Sequence, residues 1–138
     1  MFNISNFFTT GLKNTVLFKN NTGTSHKGPW VAVYPDTVLD RFHVGDFASV
    51  EYTISADFNS SKKEILKVLV TASVDTASVV IYARNSTNDA LIEVDAIVND
   101  SYVDVIVDPI VADDSTPYAG TKIIYTAQYF HVQNPSTN

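Results

Sequence analysis

The chain reads as an all-β protein, a single antiparallel β-sandwich of jelly-roll-like or flattened-barrel form with about eight strands, on three observations. Valine and isoleucine together number 28 against six leucines, alongside 14 threonines and 15 tyrosines and phenylalanines. Branched and aromatic side chains of this kind suit a pleated, half-buried surface. Short runs of period-two alternation recur between clusters of Asn, Asp, Ser, Gly and Pro. Nowhere does an apolar stripe of helical period run far enough to make an amphipathic helix.

Taken in order, residues 1–14 place Phe2, Phe7 and Phe8 among Asn, Ser and Thr without alternation and read as an N-terminal arm. The sandwich is expected over 15–132. Thr15–Lys19 is a short strand, Asn20–Ser25 a loop by its turn formers, and Trp30–Tyr34 a strand fenced by Gly28-Pro29 and Pro35-Asp36. Asp36–Gly45 reads as a connection with one helical turn around Val38–Arg41. Phe47–Ser55 alternates, with Val50, Tyr52 and Ile54 on one side, and is a half-buried strand. After a polar loop at Asp57–Lys63, Ile65–Ser73 is apolar on both faces and reads as a central strand. Ser78–Arg84, Ala90–Val98 and Tyr102–Val107 continue as a meander. An acidic loop holding Asp113 and Asp114 precedes the last strand, Lys122–His131, bulky on both faces; 133–138 is a tail.

The register of the meander carries the functional expectation. With Asn99-Asp100 as a two-residue turn, Ala96 faces Val103, Val94 faces Val105 and Ile92 faces Val107 on the core side, while Ile97, Asp95 and Glu93 meet Tyr102, Asp104 and Ile106 outside. With Asn85–Asp89 as a hairpin loop, Val80 and Tyr82 join the core side and Val79, Ile81 and Leu91 join the outer face. That outer face is about half apolar, which points to something covering it. Asp95 directly opposite Asp104 calls for screening by solvent, a basic group from a neighbour, or a cation between them.

Composition narrows the function classes. At 138 residues and without cysteine, the chain makes one domain whose core does not require a disulfide, and thiolate chemistry is excluded. A net charge of −6 with only nine dispersed basic residues argues against nucleic acid. The first residues carry no basic, apolar leader, and no segment approaches the ~20 apolar residues of a membrane span, so synthesis in a cytoplasm and no membrane partner are expected. His26, His43 and His131 lack the close spacing of a metal site, Asp113 and Asp114 lack the pattern of a calcium loop, and neither a nucleophile elbow nor a glycine-rich phosphate loop occurs. No enzyme, metal or cofactor is expected. Trp30 reads as a core or interface residue, or as a sugar-stacking platform in a carbohydrate-binding sandwich that recognises a surface glycan.

Five stretches carry a likeness: Val50–Ile54 (VEYTI), Lys63–Ile65 (KEI), Thr76–Arg84 (TASVVIYAR), Val98–Val103 (VNDSYV) and Gly120–Phe130 (GTKIIYTAQYF). In these, over about residues 47–135, the chain resembles small all-β virion proteins and modules of contractile-tailed phages that infect marine cyanobacteria. The resemblance implies a structural part of a phage particle, in the tail, baseplate, neck or fibres or decorating the head, assembled in the host bacterial cytoplasm. Its partners would be copies of itself, a trimer on the resemblance, and other virion proteins. The contact residues would be Phe2, Phe7 and Phe8 of the arm together with Val79, Ile81, Leu91, Asp95, Ile97, Tyr102, Asp104 and Ile106.

Overall fold

A computed structural model of the chain describes residues 15–17, 24–27, 30–111 and 118–133. Phe2, Phe7 and Phe8, the acidic pair Asp113 and Asp114, and the tail beyond 133 lie outside the described residues. Those described form ten strands and no helix: β1 Thr15–Leu17, β2 Thr24–Lys27, β3 Val31–Ala32, β4 Thr37–His43, β5 Phe47–Asp57, β6 Lys63–Ala72, β7 Ala77–Ser86, β8 Ile92–Asn99, β9 Tyr102–Pro109 and β10 Lys122–His131.

The strands make two antiparallel sheets, as the alternation of the sequence requires when each sheet has one face to bury. The large sheet runs β1-β2-β10-β5-β6-β7, with β3 pairing β10 beyond β2, and the small sheet runs β4-β9-β8. Their inner faces meet in one core. From the large sheet come Val50, Tyr52 and Ile54 of β5, Leu66, Val68 and Val70 of β6, and Ile123, Tyr125, Ala127 and Tyr129 of β10. From the small sheet come Phe42, Ile92, Val94, Ala96, Val103, Val105 and Val107. Both β6 and β10 are internal strands, which accounts for their bulk on both faces.

Where the chain departs from the sequence expectation, a local device is responsible. The turn after β8 is Asp100-Ser101, both at positive φ (61° and 71°), and Asn99 pairs Tyr102. Two successive left-handed residues match the right-handed twist of a two-residue hairpin. Moving the turn by one residue moves every partner by two, so the core face survives but the pairs change: Asp104 faces Ile97, and Asp95 faces Ile106. The two carboxylates are therefore not opposed. Asp104 instead accepts a hydrogen bond from Arg41 Nε at 2.5 Å.

The expected β7–β8 hairpin is absent. β7 pairs β6, and residues 87–91 carry the chain across to the small sheet. Val79 and Ile81 consequently pack against the core, Leu91 is fully buried, and Val80 and Tyr82 face outward, the reverse of the expected faces. A bulge in β7 falls between Ile81, paired with Val68, and Ala83, paired with Lys67. The extra residue inverts the alternation, so that Arg84 and Ser86 turn inward. Thr37–His43, expected as a connection with a helical turn, is strand β4; a bulge at Leu39 and the polar Asp40 on its inner face hide its alternation. Thr24–Lys27, partly inside an expected loop, is strand β2, and of Trp30–Tyr34 only Val31–Ala32 pairs.

Two carboxylates, one buried and one half-buried, bind the sheets together. Glu64, at the edge of the core on β6, has a side chain wholly out of solvent. Arg84 Nη1 donates to its two oxygens at 2.9 and 3.0 Å, Ser86 Oγ to one at 2.7 Å, and the backbone N–H groups of Leu91 and Ile92 to the other at 3.0 and 3.1 Å. Asp40 on β4 reaches across from the small sheet and accepts from Tyr52 Oη at 2.8 Å and Tyr129 Oη at 2.6 Å. Burial first, and then the charge of Asp40, push the ionisation of Tyr52, Tyr125 and Tyr129 well up.

Two outcomes are expected. Glu64→Ala, which leaves two buried backbone donors unsatisfied and takes one of its two carboxylate partners from the half-buried Arg84, lowers unfolding stability by about 2–4 kcal/mol, measured by urea titration. Because the folded-state values of the core tyrosines lie above those of the unfolded chain, the stability they contribute is complete below their ordinary value of 10.0 and is lost as pH rises past it. Tyrosinate absorbance and circular dichroism followed together through alkaline titration should therefore show these tyrosines ionising with unfolding rather than before it.

Candidate functional site

The outer face of the large sheet leaves apolar surface uncovered. Phe130, Ser49, Thr71 and Ser78 form one row across β10, β5, β6 and β7, and Gln128, Glu51, Leu69 and Val80 form the next. In the first row the small hydroxyl residues sit low beside the ring of Phe130; in the second, Leu69 and Val80 stand up. The result is a hollow of about 340 Å³ with walls of Phe130, Leu69, Val80 and Glu51 and a floor that includes Ser49, Thr71 and Ser78. The floor is fixed by a hydrogen bond between Ser49 Oγ and Thr71 Oγ1 at 3.0 Å and another from Thr71 Oγ1 to the carbonyl of Ala48 at 3.0 Å. Val80 is 52% exposed and Phe130 39%.

Further along, the bulged Tyr82 lies over the sheet and donates to Glu51 Oε2 at 2.5 Å, a bond that raises the ionisation of its hydroxyl. Lys67 Nζ stands 3.8 Å from the same carboxylate, and Ile65 continues the apolar surface along β6. The bulge interrupts the regular pairing of an edge strand and aims an aromatic ring outward.

The outer face of the small sheet is the second surface, and it is acidic. Glu93, Asp95 and Asp108 project from it, with Arg84 Nη2 3.1 Å from Glu93 and Arg41 over the buried Asp104, and with Ile97 (52% exposed), Tyr102 and Ile106 between them. His43 holds the Tyr102 ring edge-on, with centroids 4.9 Å apart. Hydrogen bonding to Asp104 raises the Arg41 ionisation further above its ordinary value.

Of the residues expected at an interface, the structure groups Asp95, Ile97, Tyr102 and Ile106 on this small-sheet face. Asp104 belongs to the same face but is buried beneath its neighbours, and Leu91, Val79 and Ile81 belong to the core. The apolar face of the large sheet was legible for Ile65, Leu69 and Phe130 from two-sided strands. Val80 and Tyr82 were missed because they depended on the hairpin; the polar residues that follow them, Arg84 and Ser86, were the available signal that the alternation breaks. Trp30 and Tyr34, at the β3 end of the sandwich, are 50% and 56% exposed, so Trp30 is not a core residue.

A third cluster ties loops rather than forming a site. Tyr118 Oη and Lys62 Nζ both donate to Asp89, Lys62 also lies 5.3 Å from the Tyr118 ring centroid, and Phe58 meets that ring edge-on. The hydrogen bond from Tyr118, and then that from Lys62, hold the Asp89 carboxyl below its usual range. Among the described residues no group of three or more His, Asp or Glu side chains is placed to hold a metal ion.

No protein-family profile matches the chain, and no curated protein matches it. Among solved structures it is similar to the tailspike protein gp49 of Acinetobacter baumannii bacteriophage Fri1, a capsular polysaccharide depolymerase, at 16% identity and a TM-score of 0.49, over 98% of this chain and 23% of that one. It is also similar to the tailspike protein of Acinetobacter baumannii phage AM24, at 8% identity and a TM-score of 0.46, over 85% of this chain and 27% of that one. The chain thus spans about a quarter of the length of these tailspikes. Likenesses this distant leave the function to be read from the chain's own residues.

An environment-sensitive apolar dye should bind the native protein at the hollow, and Leu69→Lys combined with Val80→Lys should abolish its fluorescence. Because both side chains are already exposed, the urea midpoint should move by no more than about 0.5 kcal/mol equivalent.

Proposed function

We propose that this protein is a structural module of a phage particle, in its tail or an associated fibre, that works by contact rather than by catalysis. The observation that carries the reading is the exposed apolar outer face of the large sheet, where Leu69, Val80 and Phe130 stand in water around a preformed hollow and Tyr82 and Ile65 are exposed further along the same face. Contiguous apolar surface of this kind marks an interaction site. A flat sheet face with rigid walls offers a partner many shallow contacts at little ordering cost. The sequence resemblance to phage virion parts supplies the setting, and with it the expectation of a homo-oligomer, in which symmetric packing of copies is the default. A place in the virion, assembly in the bacterial cytoplasm and partnership with other virion proteins all belong to this reading.

Trp30 favours a second reading. Half exposed at the end of the sandwich with Tyr34 exposed nearby in sequence, it fits a platform for a sugar ring and hence a module that recognises a surface glycan.

Purified chain immobilised and offered a lysate of phage particles should retain virion proteins, and antibody against it should label intact particles. Leu69→Lys with Val80→Lys should abolish retention while Trp30→Ala leaves it intact. If retention is absent and a glycan array instead lights up in a Trp30-dependent manner, the glycan reading replaces the structural one.

A further inference from the structure

Resting on the reading of the large sheet's outer face as a contact surface, we propose that its occupant is the small-sheet outer face of a second copy of this chain, with Tyr102 seated in the hollow. The contact is heterologous, front to back, so each copy offers one face to each neighbour.

The two faces are complementary in charge. In a chain of net charge −6, the large-sheet outer face carries Lys63, Lys67 and Lys122 against Glu51 and Asp57, whereas the small-sheet face exposes Glu93, Asp95 and Asp108, with Arg84 beside Glu93 and Arg41 paired to the buried Asp104. Two copies of the same face would oppose like charges, which costs affinity; front against back does not.

They are also complementary in shape. Tyr102 is an exposed ring kept upright by the edge-on contact with His43, an apolar body with a polar tip. The hollow has apolar walls in Leu69, Val80 and Phe130, a hydroxyl floor and the Glu51 carboxylate on its rim, so it offers acceptors for a phenol tip beside apolar surface for the ring. The spacing of the next contact agrees as well. On the knob side Asp95 lies four residues along β8 from Asn99, the cross-strand partner of Tyr102. On the socket side Lys67 lies four residues along β6 from Thr71 in the floor. At ~3.3 Å per residue both offsets are about 13 Å, so a seated Tyr102 brings Asp95 and Lys67 to the same distance from the anchor.

Heterologous contacts propagate until they close into a ring or run on as a filament. Blocking one face of each of two chains stops propagation at a dimer, and that gives the test. Leu69→Arg blocks the socket and leaves the knob; Tyr102→Asp blocks the knob and leaves the socket; both positions are exposed, so the fold is retained. In sedimentation velocity the unaltered chain should form oligomers that dissociate on dilution and with added salt. Each blocked variant alone should be monomeric, and their mixture should give a one-to-one dimer. Lys67→Glu should weaken association about tenfold or more, and Lys67→Glu with Asp95→Lys in the same chain should restore it.

The proposal fails if the unaltered chain is monomeric at about 1 mM, if Tyr102→Asp alone still self-associates, or if the mixed variants stay monomeric. Should it fail while Leu69→Arg still abolishes capture of virion proteins, the contact-surface reading stands with a different partner.

Discussion

The fold turns on the carboxylate of Glu64. A two-sheet sandwich built from one chain must carry its backbone from one sheet to the other, and the crossing exposes donors that neither ladder satisfies. Here the crossing is at residues 87–91, and Glu64 takes the N–H groups of Leu91 and Ile92 while Arg84 and Ser86 complete its shell. Thr87 secures the start of the crossing by accepting from the Lys63 N–H at 3.0 Å and donating to the Ser61 carbonyl at 2.8 Å. A buried charge with every lone pair engaged is tolerable, whereas the same charge missing a partner is among the most destabilising things a core can hold. This one group therefore fixes where β7 ends and β8 begins. It thereby assigns β7 to the large sheet and β8 to the small one.

The assignment decides what the surface is. Had β7 turned back onto β8, Val80 and Tyr82 would have been core and the apolar exterior would have been built from Val79, Ile81 and Leu91. With the crossing in place, β7 extends the large sheet by one strand, and Val80 and Tyr82 complete an exterior begun by Leu69 and Phe130. The same sandwich leaves its second exterior acidic. Asp40, reaching inward to the hydroxyls of Tyr52 and Tyr129, clamps the two sheets so that these surfaces keep a fixed relation.

Much of this was legible in the sequence. The all-β class and the inner faces of β5, β8 and β9 follow from period-two alternation, which is cleanest where only one face is buried, while the internal place of β6 follows from bulk on both faces and the same bulk in β10 left a central strand or an interface open. The misses share a physical cause, since alternation is a local signal and each failure involves something nonlocal. The bulge at Tyr82 flips the faces within one strand, and the bulge at Leu39 with an inward Asp40 conceals β4 altogether. Whether five polar residues form a hairpin or a crossing depends on a glutamate more than twenty positions earlier, which no reading of the loop itself reveals. On the small sheet, Ile97 and Tyr102 were placed outward correctly even though the turn was displaced, because a two-residue shift of partners preserves the face.

The central claim is that the outer face of the large sheet is covered when this protein is at work. Hydroxyl-radical footprinting of Leu69, Tyr82 and Phe130, comparing the isolated monomeric chain with the chain in the intact particle, tests it most directly. The account predicts strong protection of all three residues in the particle and none at Val74, an exposed residue on the loop between β6 and β7. Equal labelling of the three in both states would contradict it.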